Sequence, residues 1–522
     1  VNTSKVVSVV ACTRIAAFWQ TYFSRKFTDL SYSKMAALNS VCNKQAALVS
    51  RGTGGPLSQP KRVLHPNRNI ASTSLSSTKN SAARTGKFPC RRSVIVQASA
   101  EDTTKDRVEE EFDPRQFRRQ LGASKLYNRR VSGDEESIRQ MDEHGIGIGS
   151  EGGIIAQMRD TGFQYTRGDV TLQLAESFGF CWGVERSIQM AYEARNQFKD
   201  RTIWITNEII HNPIVNKRLA EMDVKFIEED NGDKDFSGVT KGDVVILPAF
   251  GASVEEMKLL DERKVNIVDT TCPWVSKVWN AVGMHTKKEA TSVIHGKWEH
   301  EETIATASFA KIYLIIKNMK ECEMVMDYIL QKEGCMSKAE FMEHFKNAMS
   351  AGFDPDEDLT RVGIANQTTM LRSETTALGK AIERCMMEKY GVENVAQHFM
   401  VLDTICDATQ ERQDAMFSLV DKKPDIMLVV GGFNSSNTSH LQEIAEHNSI
   451  PSFWVDQAAR VGPGNLVAHS TSTGELLETE NWLPEGPVTI GVTSGASTPD
   501  RVVEDILDKI FEIKEKSPSA VA

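Results

Sequence analysis

Two stretches of this sequence share one plan: Val265–Val268 leads into Asp269-Thr-Thr-Cys272, and Phe399–Leu402 leads into Asp403-Thr-Ile-Cys406. In each stretch a short apolar run is followed by a small polar turn, a cysteine and then helical sequence. This order is typical of the strand–turn–helix unit of a parallel α/β sheet, where ligands collect at the ends of strands. The two stretches therefore predict both a fold class and the place of a site.

Seven further units of the same kind lie beyond residue 168, with strands predicted at Val170–Leu174, Thr202–Thr206, Asp243–Leu247, Thr291–Ile294, Val362–Ile364, Ile426–Val430 and Val488–Val492. Counted from the first, every third unit carries a cysteine: Cys181, Cys272 and Cys406. We therefore predict an α/β fold of three pseudo-threefold related lobes with small parallel sheets, each offering three loops to one centre. The predicted lobes span 169–270, 271–404 (with an insertion near 332–360) and 405–500, and a C-terminal helix and tail follow over 501–522.

The first hundred residues form a different kind of polypeptide. They contain 15 lysines and arginines and a single acid, Asp29, whereas the rest of the chain carries a net charge of −24. Basic, acid-poor and rich in serine and threonine, this segment is typical of an organelle transit peptide. Met35 resembles an initiator, so we interpret residues 1–34 as a translated leader or part of a longer reading frame. We expect residues 1–100 to be disordered. A nucleic-acid-binding tail is the competing interpretation, but the positive charges are dispersed rather than clustered.

Residues 101–168 are predicted to be an N-terminal extension. Within it, Gly147-Ile-Gly149-Ser-Glu-Gly152 matches a dinucleotide-binding pattern, but the polar residues before it do not form the strand that the pattern requires, and we interpret it as a flexible turn. No apolar run in the chain reaches the roughly 18 residues of a spanning helix, so membrane insertion is not expected.

The three cysteines are separated by 91 and 134 residues, which excludes the local spacing of zinc ribbons and compact ferredoxins. Buried packing is the usual role of a single free cysteine. Three of them at equivalent strand ends favour a metal centre instead. Their chemistry leaves two alternatives open: zinc with an open position, or a [4Fe–4S] cluster in which one iron has no protein ligand.

The other loops indicate an anionic substrate, because short polar side chains stand where helices begin and free backbone N–H groups favour phosphate. The candidates are His211, His300, Thr368, Ser435, Ser436, Asn437 and Ser497. Helix capping is the alternative role for the serines and the asparagine. Glu302, two residues beyond His300, is the carboxyl we select as proton donor, and its alternative is an ordinary acid in the first turn of a helix.

These motifs resemble a known family. Gly-Phe-Cys181-Trp-Gly-Val, Glu-Ile-Ile-His211-Asn, Thr-Cys272-Pro-Trp-Val-Ser-Lys, Gln-Thr368-Thr, Asn434-Ser-Ser-Asn437 and Gly-Ala-Ser497-Thr-Pro-Asp are similar to those of the 4-hydroxy-3-methylbut-2-enyl diphosphate reductases of the non-mevalonate isoprenoid pathway. The similarity runs from about residue 110 to 512. The transit-like presequence and the extension resemble the plant plastid branch, which implies a chloroplast location.

The resemblance implies three lobes around one [4Fe–4S] cluster per chain, held by Cys181, Cys272 and Cys406, with the open iron facing the allylic hydroxyl of the substrate. It further implies reductive dehydroxylation to isopentenyl and dimethylallyl diphosphates, with plastid ferredoxin as electron donor. Glu302 would supply protons and Thr368 would lie near the hydroxyl. The diphosphate would bind to His211, His300, Ser435, Ser436, Asn437 and Ser497.

Two positions depart from the bacterial pattern of that family. Phe250 stands where a diphosphate-binding histidine is expected, and its ring cannot donate that hydrogen bond. Lys297 replaces the first histidine of the GHxxHxE loop and is a candidate for the missing positive charge. Two rival functions remain: a three-cysteine zinc hydrolase or lyase, and a non-enzymatic iron–sulfur carrier.

Overall fold

The computed structural model describes residues 112–147, 153–230 and 233–516, all of which fall in one compact unit. The predicted transit peptide over 1–100, most of the Gly147–Gly152 pattern and the tail beyond Lys516 lie outside the described residues. Among the residues described, no helix is both long and apolar enough to cross a membrane.

Short elements of the N-terminal extension precede the first lobe. They are α1 (Pro114–Gly122), β1 (Tyr127–Asn128), α2 (Glu135–Glu143), α3 (Ile154–Asp160) and β2 (Gln164–Arg167). The N-cap Asp113 accepts hydrogen bonds from the backbone N–H groups of Arg115 and Gln116, which starts α1, and Asp134 caps α2 in the same way. The extension is therefore built from regular, capped elements.

The first sheet has five parallel strands in the order β1-β9-β8-β4-β5. Its later strands are β4 (Ile203–Ile205), β5 (Val224–Phe226), β8 (Val244–Leu247) and β9 (Asn266–Asp269). Its helices are α4 (Trp182–Gln197), α5 (Pro213–Glu221) and α6 (Val254–Glu262). Between β5 and β8 the chain forms a small hairpin of β6 (Glu229–Asp230) and β7 (Asp233–Lys234). Every residue of β8 is buried, as expected for a parallel strand that is covered on both faces.

The second sheet has four parallel strands in the order β11-β10-β12-β13. Its strands are β10 (Thr291–His295), β11 (Tyr313–Ile316), β12 (Val362–Asn366) and β13 (Phe399–Val401); its helices are α7 (Pro273–Lys287), α8 (Glu301–Ser308), α9 (Met319–Leu330), α10 (Lys338–His344), α11 (Pro355–Asp358), α12 (Arg372–Tyr390) and α13 (Val395–His398). The predicted insertion near 332–360 contributes Phe341, Phe345 and Phe353 to the core of this lobe, with the Phe341 ring 4.8 Å from that of Tyr328.

The third sheet has seven strands in the order β17-β16-β15-β14-β18-β3-β2, parallel at its centre and antiparallel at both edges. Its elements are β3 (Val170–Leu174), α14 (Asp407–Asp421), β14 (Ile426–Val430), α15 (Ser436–His447), β15 (Ser452–Val455), the 3₁₀ turn Ala458–Arg460, β16 (Leu466–Ser470), β17 (Leu476–Glu480), β18 (Val488–Ser494) and α16 (Asp500–Lys516). The α/β class with three sheets is confirmed, although this sheet is larger and more mixed than expected.

The sequence analysis placed β3 in the first lobe, and this assignment is wrong. Val170–Leu174 pairs in parallel with Val488–Val492 in the third sheet. Its inward side chains pack with Ile506 and Ile510 of α16 in the same core. The pattern of a β-branched run predicts a strand but carries no information about its partner, which here lies near the other end of the chain. Consequently α16, which we expected to follow the lobes, is also part of the third one.

A buried carboxylate joins the extension to the first sheet. Asp269, at the end of β9, is fully buried and lies 3.3 Å from Arg118 and 3.0 Å from Arg129, and it also accepts a hydrogen bond from the Tyr127 hydroxyl. Burial alone would raise the pKa of Asp269, but the two guanidinium groups hold it below its ordinary value. The extension is thus held by ion pairs as well as by the pairing of β1 with β9.

We expect the substitution Asp269→Ala to lower the free energy of unfolding by about 3–5 kcal/mol, because it leaves two largely buried guanidinium groups without their counter-charge. Asp261→Ala is the matched control, since its ion pair with Lys264 is exposed, and it should cost no more than about 1 kcal/mol. Denaturant unfolding curves measure both changes. Equal curves for the two variants would contradict a stabilising role for the buried cluster.

Candidate functional site

The three predicted metal ligands lie at equivalent positions, each as the N-cap of a helix. Cys181 precedes α4, Cys272 precedes α7 and Cys406 precedes α14, and none of the three side chains makes a capping hydrogen bond. All three are free thiols and line one cavity. Cys322, Cys335 and Cys385 do not line it.

Tight packing brings the thiols together. A Cβ atom added to Gly183 would come within 2.6 Å of the Cys272 sulfur and 3.9 Å of the Cys181 sulfur, so glycine is required at the start of α4. Burial, reinforced by repulsion from the neighbouring Cys181 and Cys406, raises the pKa of Cys272 to about 12. A metal group that binds Cys272 as a thiolate must therefore displace its proton.

The three thiols are a donor set that leaves both metal alternatives open. Thiolate sulfur is the ligand that iron–sulfur clusters use, and zinc accepts it as well. Within the described part of the chain, no group of three His, Cys, Asp or Glu side chains is arranged so that it could hold one metal ion.

Unpaired donors line the same cavity. The buried atoms His211 Nε2, His300 Nε2, Ser436 Oγ and Asn437 Nδ2 have no hydrogen-bond partner in the structure. Buried polar groups are normally paired, because leaving one unpaired costs about 1–3 kcal/mol. Four such atoms on the wall of one cavity indicate a polar ligand with several acceptors.

The local geometry explains why these atoms face the cavity. His300, the N-cap of α8, accepts a hydrogen bond at Nδ1 from the Glu302 backbone N–H, so its proton resides on Nε2. Asn437 accepts a bond at Oδ1 from the Ala496 N–H, which leaves its Nδ2 group free. Burial lowers the pKa of His300 to about 3, so its ring is neutral and donates a hydrogen bond from Nε2.

Ser435 and Ser497 also line the cavity, but their hydroxyls are already engaged. Ser435 is the N-cap of α15 and accepts a hydrogen bond from the Thr438 N–H, which is the capping role we had named as its alternative. The Ser497 hydroxyl donates to the His211 carbonyl at 3.3 Å and lies 3.5 Å from that of Ser435. Ser497 can donate to a ligand only by giving up its bond to the His211 carbonyl, whereas Ser435 accepts in its capping bond and can still donate its own O–H.

Phe250 stacks on His211, with ring centroids 4.9 Å apart and planes 10° from parallel, while His300 meets His211 edge-on. The aromatic ring at this position therefore orients a histidine that can itself bind the ligand. Lys297 does not line the cavity, so it does not supply the missing donor there. Its charge acts on the site only by helping to lower the pKa of His300.

Glu302 and Thr368 form a buried pair beside the cysteines. The Thr368 backbone N–H donates to Glu302 Oε1 at 2.6 Å, and its hydroxyl donates to Oε2 at 2.9 Å. Burial raises the pKa of Glu302 to about 7, although both hydrogen bonds act to lower it. A carboxyl with this pKa can hold and release a proton near neutral pH.

Sequence reasoning missed the partners of His211. Glu208 Oε2 accepts from His211 Nδ1 at 3.2 Å and from Asn434 Nδ2 at 2.7 Å. With Nδ1 bonded to this carboxylate, the other ring nitrogen, His211 Nε2, is the buried atom left without a partner beside the cavity. A carboxylate three residues before His211 was a visible hint of this partner in the sequence. Only the fold shows that Asn434, in a loop of the third lobe, also binds Glu208.

Fold and site together define a three-lobed α/β protein in which three thiols and a wall of unpaired polar atoms share one cavity. A family model described as "LytB protein" matches residues 172–511. The chain therefore belongs to the LytB family.

Two curated relatives, at 56% and 61% identity, agree with this assignment. The chloroplastic 4-hydroxy-3-methylbut-2-enyl diphosphate reductase of Botryococcus braunii is 56% identical over 416 residues, which is 78% of this chain and 82% of that protein. The reductase of the same name from Synechocystis sp. is 61% identical over 365 residues, 70% of this chain and 96% of the relative. The solved structure of the E-1-hydroxy-2-methyl-but-2-enyl-4-diphosphate reductase from Plasmodium falciparum aligns with a TM-score of 0.49 at 22% identity, over 67% of this chain and 90% of that one.

A pH profile tests the pair of Glu302 and Thr368. If the protonated carboxyl is the active form, turnover should fall as the pH rises through about 7. Thr368→Val removes the hydroxyl bond that favours the charged carboxylate, so the pKa of Glu302 should rise and the fall in kcat should move to higher pH. Glu302→Gln should abolish the dependence and slow turnover about 100-fold or more.

Thr369→Val is the matched control, since the Thr369 hydroxyl accepts a hydrogen bond from Gln367 Nε2 and, unlike that of Thr368, donates none to Glu302. Its pH profile should match that of the unsubstituted protein. If kcat falls at the same pH in Thr368→Val as in the unsubstituted protein, the Thr368 hydroxyl does not influence the pKa of Glu302.

Proposed function

We propose that this chain is a 4-hydroxy-3-methylbut-2-enyl diphosphate reductase. It converts (E)-4-hydroxy-3-methylbut-2-enyl diphosphate to isopentenyl and dimethylallyl diphosphates. The reaction consumes two electrons and two protons, breaks the allylic C–O bond and releases the hydroxyl as water. The observation that carries the proposal is one cavity that joins three free thiols, four unpaired polar atoms and a carboxyl with a pKa near neutrality.

Cys181, Cys272 and Cys406 would hold one [4Fe–4S] cluster per chain. When bound, such a cluster supplies electrons one at a time and a Lewis-acidic iron without a protein ligand. The protein's part is to bury the three thiols at helix N-termini, where the positive ends of the helix dipoles favour thiolate over thiol.

The diphosphate would bind on the wall with the unpaired donors. His300 Nε2, Asn437 Nδ2 and Ser436 Oγ offer hydrogen bonds without rearrangement, and the unpaired His211 Nε2 lies on the same wall. Ser435 and Ser497 extend the set toward a second phosphoryl group. The apolar side chains of Ile210, Phe250 and Val275 line the same cavity and suit a branched five-carbon chain.

Glu302 would deliver a proton within this cavity. Its carboxyl is almost fully buried, so bulk water does not compete for the transfer, and Thr368 fixes its orientation through two hydrogen bonds. Thr368 lines the cavity together with Glu302, and in this proposal it would lie near the hydroxyl to be removed.

We further propose ferredoxin as the electron donor and the plastid stroma as the location. The chloroplastic name of the Botryococcus braunii relative and the basic, acid-poor residues 1–100 support the location. A one-electron carrier suits a reaction whose two electrons must pass through a single centre. We propose no role for nucleic acid or for membrane insertion.

Substitution of the cysteines tests the proposal. The anaerobically purified chain should be brown, hold about four irons and reduce the allylic diphosphate when given a low-potential donor. Cys181→Ser, Cys272→Ser and Cys406→Ser should each lose iron and activity. Cys335→Ser should retain both, since Cys335 lies away from the cavity.

The rival functions predict different results. A colourless protein with stoichiometric zinc would support a hydrolase or lyase and contradict the reductase. A chain that holds iron and sulfide, but neither binds nor turns over the allylic diphosphate, would be an iron–sulfur carrier.

A further inference from the structure

Arg412 is a buried cation without a carboxylate partner. It lies on α14, six residues beyond Cys406, and only 3% of its surface is exposed to solvent. No acidic side chain within the described residues lies within ion-pair distance of it. Burying a charge in this way is expensive unless another group compensates it.

The guanidinium group connects two of the cysteine segments. Its Nη1 donates to the Ala408 carbonyl in the first turn of α14 at 2.8 Å. Its Nη2 donates to the Gly179 carbonyl at 2.6 Å, in the loop that leads to Cys181. The helix that starts at Cys406 thus holds the loop that ends at Cys181.

Arg186 makes the same kind of contact between the segments of Cys181 and Cys272. It lies on α4, five residues beyond Cys181, and its Nη1 donates to the Thr270 carbonyl at 3.1 Å, in the loop that leads to Cys272. Its Nη2 donates to the Arg129 carbonyl at 2.6 Å. In both cases an arginine from the helix of one cysteine binds the backbone just before another cysteine.

The two arginines differ in whether the guanidinium group keeps a buried hydrogen-bond donor without a partner. All the polar interactions of the Arg186 guanidinium go to backbone carbonyls, and it is only half-buried. Arg412 keeps a buried Nε–H that has no partner. Burial lowers the pKa of Arg412, and the thiolates of Cys181 and Cys406 are the strongest nearby charges that raise it, ahead of Glu411 and Asp500.

We propose that Arg412 is the positive counter-charge of the three-thiolate centre, and that its fork of hydrogen bonds sets the spacing of Cys181 and Cys406. This inference rests on the proposed iron–sulfur function. Reduction adds negative charge to the centre, so a fixed cation beside two of its ligands favours the reduced form and raises the reduction potential. Arg412 is a positioning residue, because it contacts no substrate-facing surface of the cavity.

The test is the reduction potential of the anaerobic holoprotein, measured by titration with spectroscopic detection, together with the iron that each variant retains against a chelator. Arg412→Gln should shift the potential to a more negative value and speed the loss of iron. Arg412→Lys keeps a charge but cannot form the fork, so its potential should stay near that of the unsubstituted protein while iron is lost faster. Arg195→Gln, at the far end of α4, is the matched control and should change neither quantity.

Each outcome decides the proposal. An unchanged potential in iron-loaded Arg412→Gln would overturn it, as would an equal negative shift in Arg412→Lys. If Arg412→Gln holds no iron, a loaded Arg412→Lys with the original potential supports the counter-charge, and an iron-free Arg412→Lys contradicts it. If the unsubstituted chain holds no iron, the proposed function fails first, and that result is distinct from all the others.

Discussion

The convergence of helix N-termini is the constraint on which the rest of this structure depends. Five helices, α4, α7, α8, α14 and α15, begin at residues that line one cavity: Cys181, Cys272, His300, Cys406 and Ser435. Each contributes free backbone N–H groups and the positive end of its dipole. In parallel sheets these ends lie at the carboxyl edges of the strands, so three lobes whose edges meet create one electropositive cavity without a single exposed lysine.

Burial acts on three titratable groups of this cavity, His300, Glu302 and Cys272, in the same physical way. It lowers the pKa of His300 and raises the pKa values of Glu302 and Cys272, because each group is driven toward its neutral form. These three side chains therefore add little charge to the cavity. In the proposed function, negative charge would arrive with thiolate ligation and with the diphosphate, and the helix dipoles and the more distant Arg412 would compensate it.

Much of this could be read from the sequence because it depends on local order along the chain. Strand–turn–helix units place Cys181, Cys272 and Cys406 at helix starts wherever each unit lies, and the ends of parallel strands share an edge. Sheet membership could not be read in this way: β3 follows the same local pattern as the others, but pairs with β18 from the far end of the chain. Glu208 and Arg412 were missed for the same reason, since each acts on a residue from a distant segment.

The expectation for Lys297 failed on a different ground. Alignment with a motif gives a residue's position along the loop, but the direction of its side chain depends on what packs around that loop. Here the Lys297 N–H donates to Gln367 Oε1, and the side chain lies near Lys317 and Glu443 instead of in the cavity. At Phe250, where the bacterial pattern has a histidine, an uncharged ring stacks on His211 and holds the His211 ring in place.

The N-terminal extension belongs to this site physically, although it precedes the residues that the family model matches. Asp269 lies three residues before Cys272, and its charge is balanced by Arg118 and Arg129 from the extension. Arg129 also offers its carbonyl to Arg186, the residue that holds the Thr270 backbone. The loop that presents Cys272 is thus fixed on one side by its own sheet and on the other by the extension. A carboxylate that is fully buried cannot lose these partners without either taking up a proton or moving, and both would displace the neighbouring cysteine.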